Sequence, residues 1–248
     1  MKSVLQYLMD VKRDRGAGYL VLIDPDRKND TILKDLVRSV NESGADALLV
    51  GGSLIMDGRF AERAAAIKDL ARIPVILFPG AANQLGPYYD AVLFMSVISG
   101  RNPNYLISEQ VIAAPIVKDL GLEPIPTGYM LFEGGGNSTV EFMSNSRPLP
   151  LNRSDIAVAH GLAAKYLGMK ILYLEAGSGA TSSVPNRTIS ELDREVGLPL
   201  VVGGGIRTPE SAQEKVQAGA SFVVIGTAVE EPGASELLKE FSRAIHGE

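Results

Sequence analysis

The sequence predicts a (β/α)8 barrel, and three observations support this fold class. Eight short apolar runs alternate with amphipathic helical patterns along the chain. The runs are continuous rather than alternating, which is typical of parallel strands buried on both faces. The length of 248 residues matches barrels that form one domain of about 250 residues. A doubly wound open sheet is the alternative, because counting strands does not reveal whether the sheet closes.

The eight predicted strands share a content of Val, Ile, Leu and aromatic residues. They lie at residues 19–24, 47–52, 74–79, 91–96, 123–131, 171–176, 200–205 and 222–227. The segments between most of them carry apolar residues at i, i+3 and i+4, and several end at glycine, as helices do. No change in composition divides the chain, so we expect one domain over residues 1–248.

Two connections depart from the regular alternation. The segment "GAANQLGPYYD" (80–90) is too short and too rich in Gly and Pro for a crossover helix, so we expect the third helix to be missing or replaced by an extended segment. The segment "FEGGGNSTVEFMSNSRPLPLN" (132–152) has little helical periodicity. Long loops in compact domains are usually functional, and we expect this one to cover the barrel mouth.

Apolar residues cluster in sequence around the predicted helix gap and the fifth strand. Each is an ordinary core residue by itself, but together they could line an apolar channel along the side of the barrel. The residues are Tyr88, Tyr89, Phe94, Met95, Ile98, Tyr105 and Phe132.

Composition excludes several classes of function. The net charge is -5 and no window holds a dense Lys/Arg cluster, so nucleic acid is not an expected partner. The absence of cysteine excludes disulfides and thiolate catalysis. The N-terminus lacks the apolar core of a signal peptide, and no apolar run reaches the 18 or more residues of a spanning helix. We therefore expect a cytoplasmic protein that would reach a lipid substrate from outside the bilayer.

Glycines gather at the ends of three consecutive predicted strands. Strand six ends in Glu175-Ala176-Gly177-Ser178-Gly179, strand seven in Gly203-Gly204-Gly205, and strand eight in Gly226-Thr227. Each glycine alone could simply make a tight turn. Together, at the end of a barrel where active sites form, they predict a phosphate site built from backbone groups, with the N-terminus of the following helix "TPESAQEKV" contributing.

The stretch "YLEAGSGATS" (173–182) places Glu175 beside this predicted phosphate site. A carboxylate repels phosphate, so Glu175 would have to face a different part of the same ligand. A ligand with one anionic end and one hydroxyl end would fit this turn in a single direction.

Acidic residues also occur at the end of the first strand, in "LIDPDR", which supplies Asp24 and Asp26; Ser53 ends the second strand. Mg²⁺ takes one or two protein oxygens and completes its shell with waters and phosphate oxygens. The pattern therefore predicts a metal-bridged second phosphate at Asp24. Alternatively, Asp24 or Asp26 caps the following helix, although Asn29 and Asp30 offer caps of their own.

Four further polar residues are less specific. His160 and His246 are expected to be structural. Arg207 could approach phosphate or face solvent at a helix start. Tyr129 could offer its hydroxyl to a ligand or pack in the core.

The strand-end motifs resemble the geranylgeranylglyceryl phosphate synthase family. The resemblance rests on "LIDPD" (22–26), "GGS" (51–53), "PTGYM" (126–130), "YLEAGSG" (173–179), "VVGGGIRTPE" (201–210) and "VVIGTAVEE" (223–231), in order and spacing. It implies a modified TIM barrel lacking its third helix. It also implies Mg²⁺-dependent transfer of a prenyl group from its diphosphate to the C3 hydroxyl of sn-glycerol 1-phosphate.

Carried over to this chain, the family pattern assigns Asp24 and Ser53 to the Mg²⁺ site that holds the diphosphate. It assigns glycerol phosphate binding to the turn after strand six and to the ends of strands seven and eight. Glu175 would hydrogen-bond the glycerol hydroxyls and act as the catalytic base. The binding residues implied are Tyr173, Leu174, Glu175, Ala176, Gly177, Ser178, Gly179, Gly204, Gly205, Gly226 and Thr227.

The chain departs from the family pattern at two places. Ala176 stands where a tyrosine is common, and "PTGYM" replaces a commoner acidic variant, which leaves the prenyl chain length and subgroup open. The segment "SGRNPNYLISEQ" (99–110) looks like the subgroup that forms larger oligomers, so a homo-oligomer, dimer or hexamer, is expected. Phe142 in the long loop would belong to a subunit interface or a lid.

Two other functions remain as alternatives. A different phosphate-binding barrel, such as a sugar phosphate isomerase, would share the glycines of strands seven and eight. A barrel that binds phosphate or lipid without turnover would keep the anion site alone.

Overall fold

Eight parallel strands close into a barrel in the computed structural model, which describes residues 2–136, 138–226 and 235–248. Each strand pairs with its neighbours in sequence, and β8 pairs with β1. The strands are β1 Gly18–Ile23, β2 Ala47–Val50, β3 Val75–Leu77, β4 Ala91–Val97, β5 Glu123–Leu131, β6 Ile171–Glu175, β7 Leu200–Gly203 and β8 Phe222–Ile225. The predicted barrel is confirmed, and the open-sheet alternative is wrong.

Helices surround the barrel. They are α1 Val4–Arg15, α2 Leu33–Ser43, α3 Phe60–Leu70, α4 Glu109–Asp119, α5 Thr139–Ser144, α6 Ser154–Tyr166, α7 Asn186–Val196, α8 Pro209–Gln217 and α9 Ser235–His246. In the described part of the chain no helix has both the length and the apolar character needed to cross a membrane.

The connection between β3 and β4 contains only a 3-10 turn at Ala82–Gln84. The prediction that the third crossover helix is replaced by an extended segment is therefore confirmed. Gln84 anchors this segment, because its side-chain amide donates to the Gly52 carbonyl and its Oε1 accepts from the N–H of Gly80. The segment is thus held against the end of β2 without a helix.

The strands separate two apolar layers. Side chains such as Leu20, Leu49 and Ile125 fill the barrel lumen, whereas Tyr19, Leu48 and Leu174 pack against the surrounding helices. Successive side chains of a strand point to opposite faces, so the position of a residue in its strand decides which layer it joins.

Helix α1 closes the N-terminal end of the barrel. Its Leu8 packs in the lumen cluster, and Glu123 at the start of β5 accepts hydrogen bonds from the N–H groups of Val4 and Leu5. The opposite, C-terminal end of the barrel is left for a binding site.

The two histidines are placed structurally, as the sequence indicates. His246 in α9 is buried, and its Nε2 lies 2.9 Å from Oδ2 of Asp46, which also accepts from the N–H of Tyr19. His160 in α6 contacts the carbonyl of Ile156 and the guanidinium of Arg101. Both lie in helices of the outer layer rather than at the strand ends.

The long segment after β5 is not free of helix. It contains the six-residue helix α5, with Ser138 as its N-cap, and Phe132 and Leu149 pair as an isolated bridge. The six residues of α5 are too few to give a clear helical period, which explains why the sequence pattern missed the helix.

Candidate functional site

One cavity of about 910 Å³ opens at the C-terminal ends of the strands. Asp24, Ser53 and Glu175 all line it, although they come from three different strand ends. Parallel strands bring their carboxyl ends to one face of the barrel, so residues far apart in sequence meet there. The predicted metal site at Asp24 and Ser53 and the predicted phosphate site beside Glu175 therefore share one cavity.

Glu175 is buried at the end of β6, where strand alternation turns it to the lumen with Tyr173. Its Oε1 accepts a hydrogen bond of 2.7 Å from the N–H of Gly177. Burial raises the pKa of Glu175 to about 7, against the opposing effect of the Gly177 hydrogen bond. A carboxyl group with this pKa can exchange a proton near neutral pH.

The glycines after β7 have no side chain to fill the space that the Glu175 carboxylate occupies. A Cβ on Gly204 would collide with Oε1 of Glu175 and lie 2.8 Å from the backbone nitrogens of Ala176 and Gly177. Gly204 and Gly205 also have φ values of +80° and +71°, which side chains rarely tolerate. At these two positions glycine is required by both space and backbone conformation.

Around this turn, residues with unpaired backbone N–H groups line the cavity. Ser178, Gly179 and Gly205 line it, and their N–H groups have no hydrogen-bond acceptor within the described ranges. Arg207 stabilises this turn, because its guanidinium donates to the carbonyls of Gly179 and Ala180. Unpaired backbone N–H groups in a glycine-rich turn suit an anion.

The N-terminus of α8, which the sequence predicted to contribute to a phosphate site, does not line the cavity. Thr208 caps this helix by accepting from the N–H of Ser211, and the cavity lining ends at Arg207. The part of this connection that lines the cavity is therefore the loop before the helix.

Three aromatic rings form the floor of the cavity. The ring of Tyr173 stacks on Phe78 at 4.7 Å and on Tyr129 at 5.6 Å between centroids. Tyr129 is buried in the lumen cluster, as the core-packing alternative expects, and it also lines the cavity. The hydroxyl of Tyr173 is buried and has no hydrogen-bond partner among the residues that the structure describes. It lies near Gly203 and Glu175.

An apolar arm of the cavity extends through the gap left by the missing helix. Val92 and Val117 line it, although both belong to the layer outside the barrel. The arm therefore passes from the lumen towards the helical layer. Of the seven residues predicted to line an apolar channel, Phe94, Met95 and Tyr105 do so. The other four are not part of the lining and pack against or within the outer layer.

Helix α5 lies over the cavity, as expected of a cover. Val140, Met143 and Ser144 line the cavity, whereas Phe142 points outward with 84% of its surface exposed. Helix α5 thus presents the apolar side chain of Met143 to the cavity and that of Phe142 to the outside.

Asp24 and Ser53 lie on the side of the cavity formed by β1 and β2. Ile23 pairs with Val50, so Asp24 follows directly beside the Gly51-Gly52-Ser53 turn. The Asp24 carboxylate is 36% exposed, with Lys28 Nζ at 4.0 Å from its Oδ2. Asp26 instead caps the 3-10 turn Arg27–Asn29, with its Oδ1 accepting from the N–H of Lys28. The capping alternative therefore holds for Asp26.

The donor set on this side fits a magnesium ion that arrives with a phosphate ligand. Over residues 2–136, 138–226 and 235–248, no group of three acidic, His or Cys residues could hold a metal alone. One carboxylate and one hydroxyl leave most of the shell to waters and phosphate oxygens, which is how Mg²⁺ is usually held.

The structure brings together most residues assigned to glycerol phosphate binding. Tyr173, Glu175, Gly177, Ser178, Gly179, Gly204, Gly205 and Gly226 line the cavity. The side chains of Leu174 and Ala176 point into the outer layer, so strand alternation removes both from the lining. Thr227 lies outside the described residues. Arg63, a buried residue of α3, also lines the cavity, and its position in a helical pattern gives no signal of this in the sequence.

Comparison with known proteins shows close relatives. The PcrB family matches residues 9–245. Geranylgeranylglyceryl phosphate synthase of Chitinophaga pinensis is 42% identical, covering 98% of this chain and 96% of its own. The protein of the same name from Thermococcus kodakarensis is 42% identical, covering 95% of each chain. The crystal structure of (S)-3-O-geranylgeranylglyceryl phosphate synthase from Thermoplasma acidophilum in complex with substrate sn-glycerol-1-phosphate has a TM-score of 0.93 and 32% identity, with full coverage of both chains.

The raised pKa of Glu175 predicts a pH-dependent stability. The folded state holds the Glu175 proton more tightly than the unfolded state, in which the pKa is near 4.5. The contribution of Glu175 to the free energy of unfolding should therefore fall by about 3 kcal/mol as pH rises from below 4.5 to above 7. Glu175→Gln should lack this decline in denaturant titrations, whereas Glu195→Gln, at an exposed position, should retain it. An identical pH profile for wild type and Glu175→Gln would contradict the prediction.

Proposed function

The chain belongs to the PcrB family, with geranylgeranylglyceryl phosphate synthases among its relatives, and we propose that it joins a prenyl group to sn-glycerol 1-phosphate. The donor is a prenyl diphosphate, geranylgeranyl diphosphate in the simplest case, and the products are a prenylglyceryl phosphate and diphosphate. The observation that carries the proposal is the single cavity that combines a buried carboxylate, a glycine-rich anion turn and an apolar arm.

The acceptor is proposed to lie along the turn after β6. Its phosphate would face the N–H groups of Ser178, Gly179 and Gly205, and its hydroxyls would face Glu175. This orientation keeps the phosphate charge away from the carboxylate. Fixing the acceptor in this way lowers the barrier by holding the C3 hydroxyl in line with the donor.

The donor is proposed to lie across the mouth towards the helix gap. Its diphosphate would be near Asp24 and Ser53, and its prenyl chain would follow the arm past Phe94 and Tyr105. Burial of the prenyl chain against these apolar side chains contributes about 25 cal/mol to the affinity for each Å² of apolar surface buried.

The chemistry forms one bond and breaks another. The C3 oxygen of the acceptor bonds to C1 of the prenyl group, and the bond from C1 to the diphosphate oxygen breaks. Glu175 takes the C3 hydroxyl proton, for which a pKa of about 7 is suitable. Mg²⁺ held by Asp24 and Ser53 would stabilise the negative charge of the departing diphosphate.

We also propose a cytoplasmic homo-oligomer, a dimer or a hexamer, that meets membranes only transiently. Several apolar side chains are exposed on α4 and the turn before it: Ile107, Val111, Ile112 and Ile116. Exposed apolar groups of this kind often belong to contacts between proteins.

An assay with radiolabelled sn-glycerol 1-phosphate and prenyl diphosphates of graded length tests the proposed reaction. We expect Mg²⁺-dependent formation of a radiolabelled ether lipid, with one chain length preferred. Binding of both ligands without product would support a binding barrel. Isomerisation of a sugar phosphate without any need for prenyl diphosphate would support the isomerase alternative.

Glu175→Gln should retain the fold and glycerol phosphate binding but lose most turnover, by a factor of about 10² to 10⁴, because the amide cannot accept the proton. Turnover and calorimetric binding of glycerol phosphate are measured on the same preparation. Near-normal turnover would remove Glu175 from the role of base.

Asp24→Asn should weaken prenyl diphosphate binding and raise the Mg²⁺ concentration needed for half-maximal activity, because the amide is a poorer ligand for a hard cation. Glycerol phosphate affinity should change little. Asp26→Asn is the matched control, since Asp26 caps a turn, and it should keep the wild-type Mg²⁺ dependence. An unchanged requirement in Asp24→Asn would exclude the metal role.

A further inference from the structure

We propose that Arg63 is a positioning residue that fixes the loops after β1 and β2, and with them the diphosphate side of the cavity. The inference rests on the proposed function, since it assigns a role within that site. Arg63 lies on α3, and only 4% of its side chain is exposed.

The guanidinium of Arg63 spans both loops. Its Nε and Nη2 donate to the carboxylate of Asp30, after β1, at 2.6 and 3.1 Å. Its Nη1 and Nη2 donate to the carboxylate of Asp57, after β2, at 2.7 and 2.8 Å. One planar group thus makes two forked ion pairs with two different strand-end loops.

A fifth contact reaches the backbone next to Asp24. Nη1 of Arg63 lies 3.5 Å from the carbonyl oxygen of Pro25, and Asn29 donates to the carbonyl of Asp24 itself. The backbone on either side of the Asp24–Pro25 peptide is therefore fixed by side chains. The direction of the Asp24 carboxylate depends on this backbone.

The arrangement requires arginine rather than positive charge alone. A guanidinium offers five donors in a fixed plane, and all the donor atoms of Arg63 are used. A lysine ammonium could pair with one carboxylate but could not hold both forks and the carbonyl together. The hydrogen bond from Arg63 also lowers the pKa of Asp57 well below its usual range, so this carboxylate stays ionised.

Arg59, four residues earlier at the N-cap of α3, provides a matched comparison. It also approaches Asp30, at 3.3 Å, and pairs with Glu62, but 60% of its side chain is exposed. The backbone N–H of Arg59 donates to Oδ1 of Asp57, but within the described ranges its side chain makes no hydrogen bond to Asp57 or Pro25, and Arg59 does not line the cavity. Exposed pairs of this kind contribute little to stability. Substitution of Arg59 therefore removes a positive charge while Arg63 still connects the two loops.

Loss of Arg63 should affect one substrate selectively. The proposed glycerol phosphate turn follows β6, on the other side of the barrel from β2. Residues that orient ligands of a metal site typically matter by about 10- to 100-fold in metal affinity or activity. The effect should therefore appear with prenyl diphosphate and Mg²⁺ but not with glycerol phosphate.

The test compares Arg63→Lys, Arg63→Met and the control Arg59→Met by calorimetric binding and by kinetics. For both Arg63 variants we expect affinity for geranylgeranyl diphosphate with Mg²⁺ to fall about 10- to 100-fold. Glycerol phosphate affinity should stay within about twofold, because distant sites behave independently. Arg59→Met should match wild type in both. Equal losses for both ligands, or no loss, would overturn the inference.

Asp57→Asn keeps the test decisive if the Arg63 variants do not fold. It removes the negative charge of the ion pair on the loop after β2, while Arg63 keeps its ion pair with Asp30. It should show the same selective loss of prenyl diphosphate affinity. Binding separates this inference from the proposed function. A wild type that binds prenyl diphosphate without forming product would overturn the function, while the Arg63 comparison would still stand. A wild type that does not bind prenyl diphosphate would overturn both.

Discussion

The carboxyl group of Glu175 is buried at the end of β6, and a backbone N–H of the next turn holds it in place. This contact depends on the missing side chain of Gly204, because a Cβ there would occupy the same space. Glycines stand on both sides of this contact, and residues whose backbone N–H groups are unpaired within the described part of the chain line the cavity beside it. The buried carboxyl group of Glu175 thus restricts which residues can stand next to it at the ends of β6 and β7.

The absence of a helix between β3 and β4 has an equally large effect on the other side of the barrel. A regular crossover helix would cover the outer face of these strands. Here a short segment held by Gln84 leaves Val92 and Val117 within reach of the cavity. The barrel can therefore accept a long apolar group sideways while keeping its polar chemistry at the strand ends.

Much of this architecture could be predicted from sequence because it depends on local patterns. Continuous apolar strands, glycine at strand ends and a connection too short for a helix each leave a direct mark. The side-chain directions of Leu174 and Ala176 also follow from strand alternation, although the motif resemblance assigned whole segments to the site. Motifs identify segments, whereas the geometry of a strand selects residues within them.

Other features depend on contacts between distant segments and could not be predicted from the chain alone. The raised pKa of Glu175 results from burial by several strands. The role of Arg63 depends on Asp30, which is 33 residues away in sequence. Arg207 is exposed just before α8, as one of its two expected placements describes, but its hydrogen bonds to the carbonyls of Gly179 and Ala180 depend on a turn 27 and 28 residues away in sequence. The six-residue helix α5 is fixed by its position over the cavity more than by its own periodicity.

The proposed mechanism depends most on the direction in which glycerol phosphate lies along the turn after β6. A crystal structure of this chain with sn-glycerol 1-phosphate tests it directly. The account predicts the phosphate against the N–H groups of Ser178, Gly179 and Gly205, and a glycerol hydroxyl within about 3 Å of the Glu175 carboxylate. A phosphate bound beside Asp24 and Ser53, or hydroxyls directed away from Glu175, would contradict it.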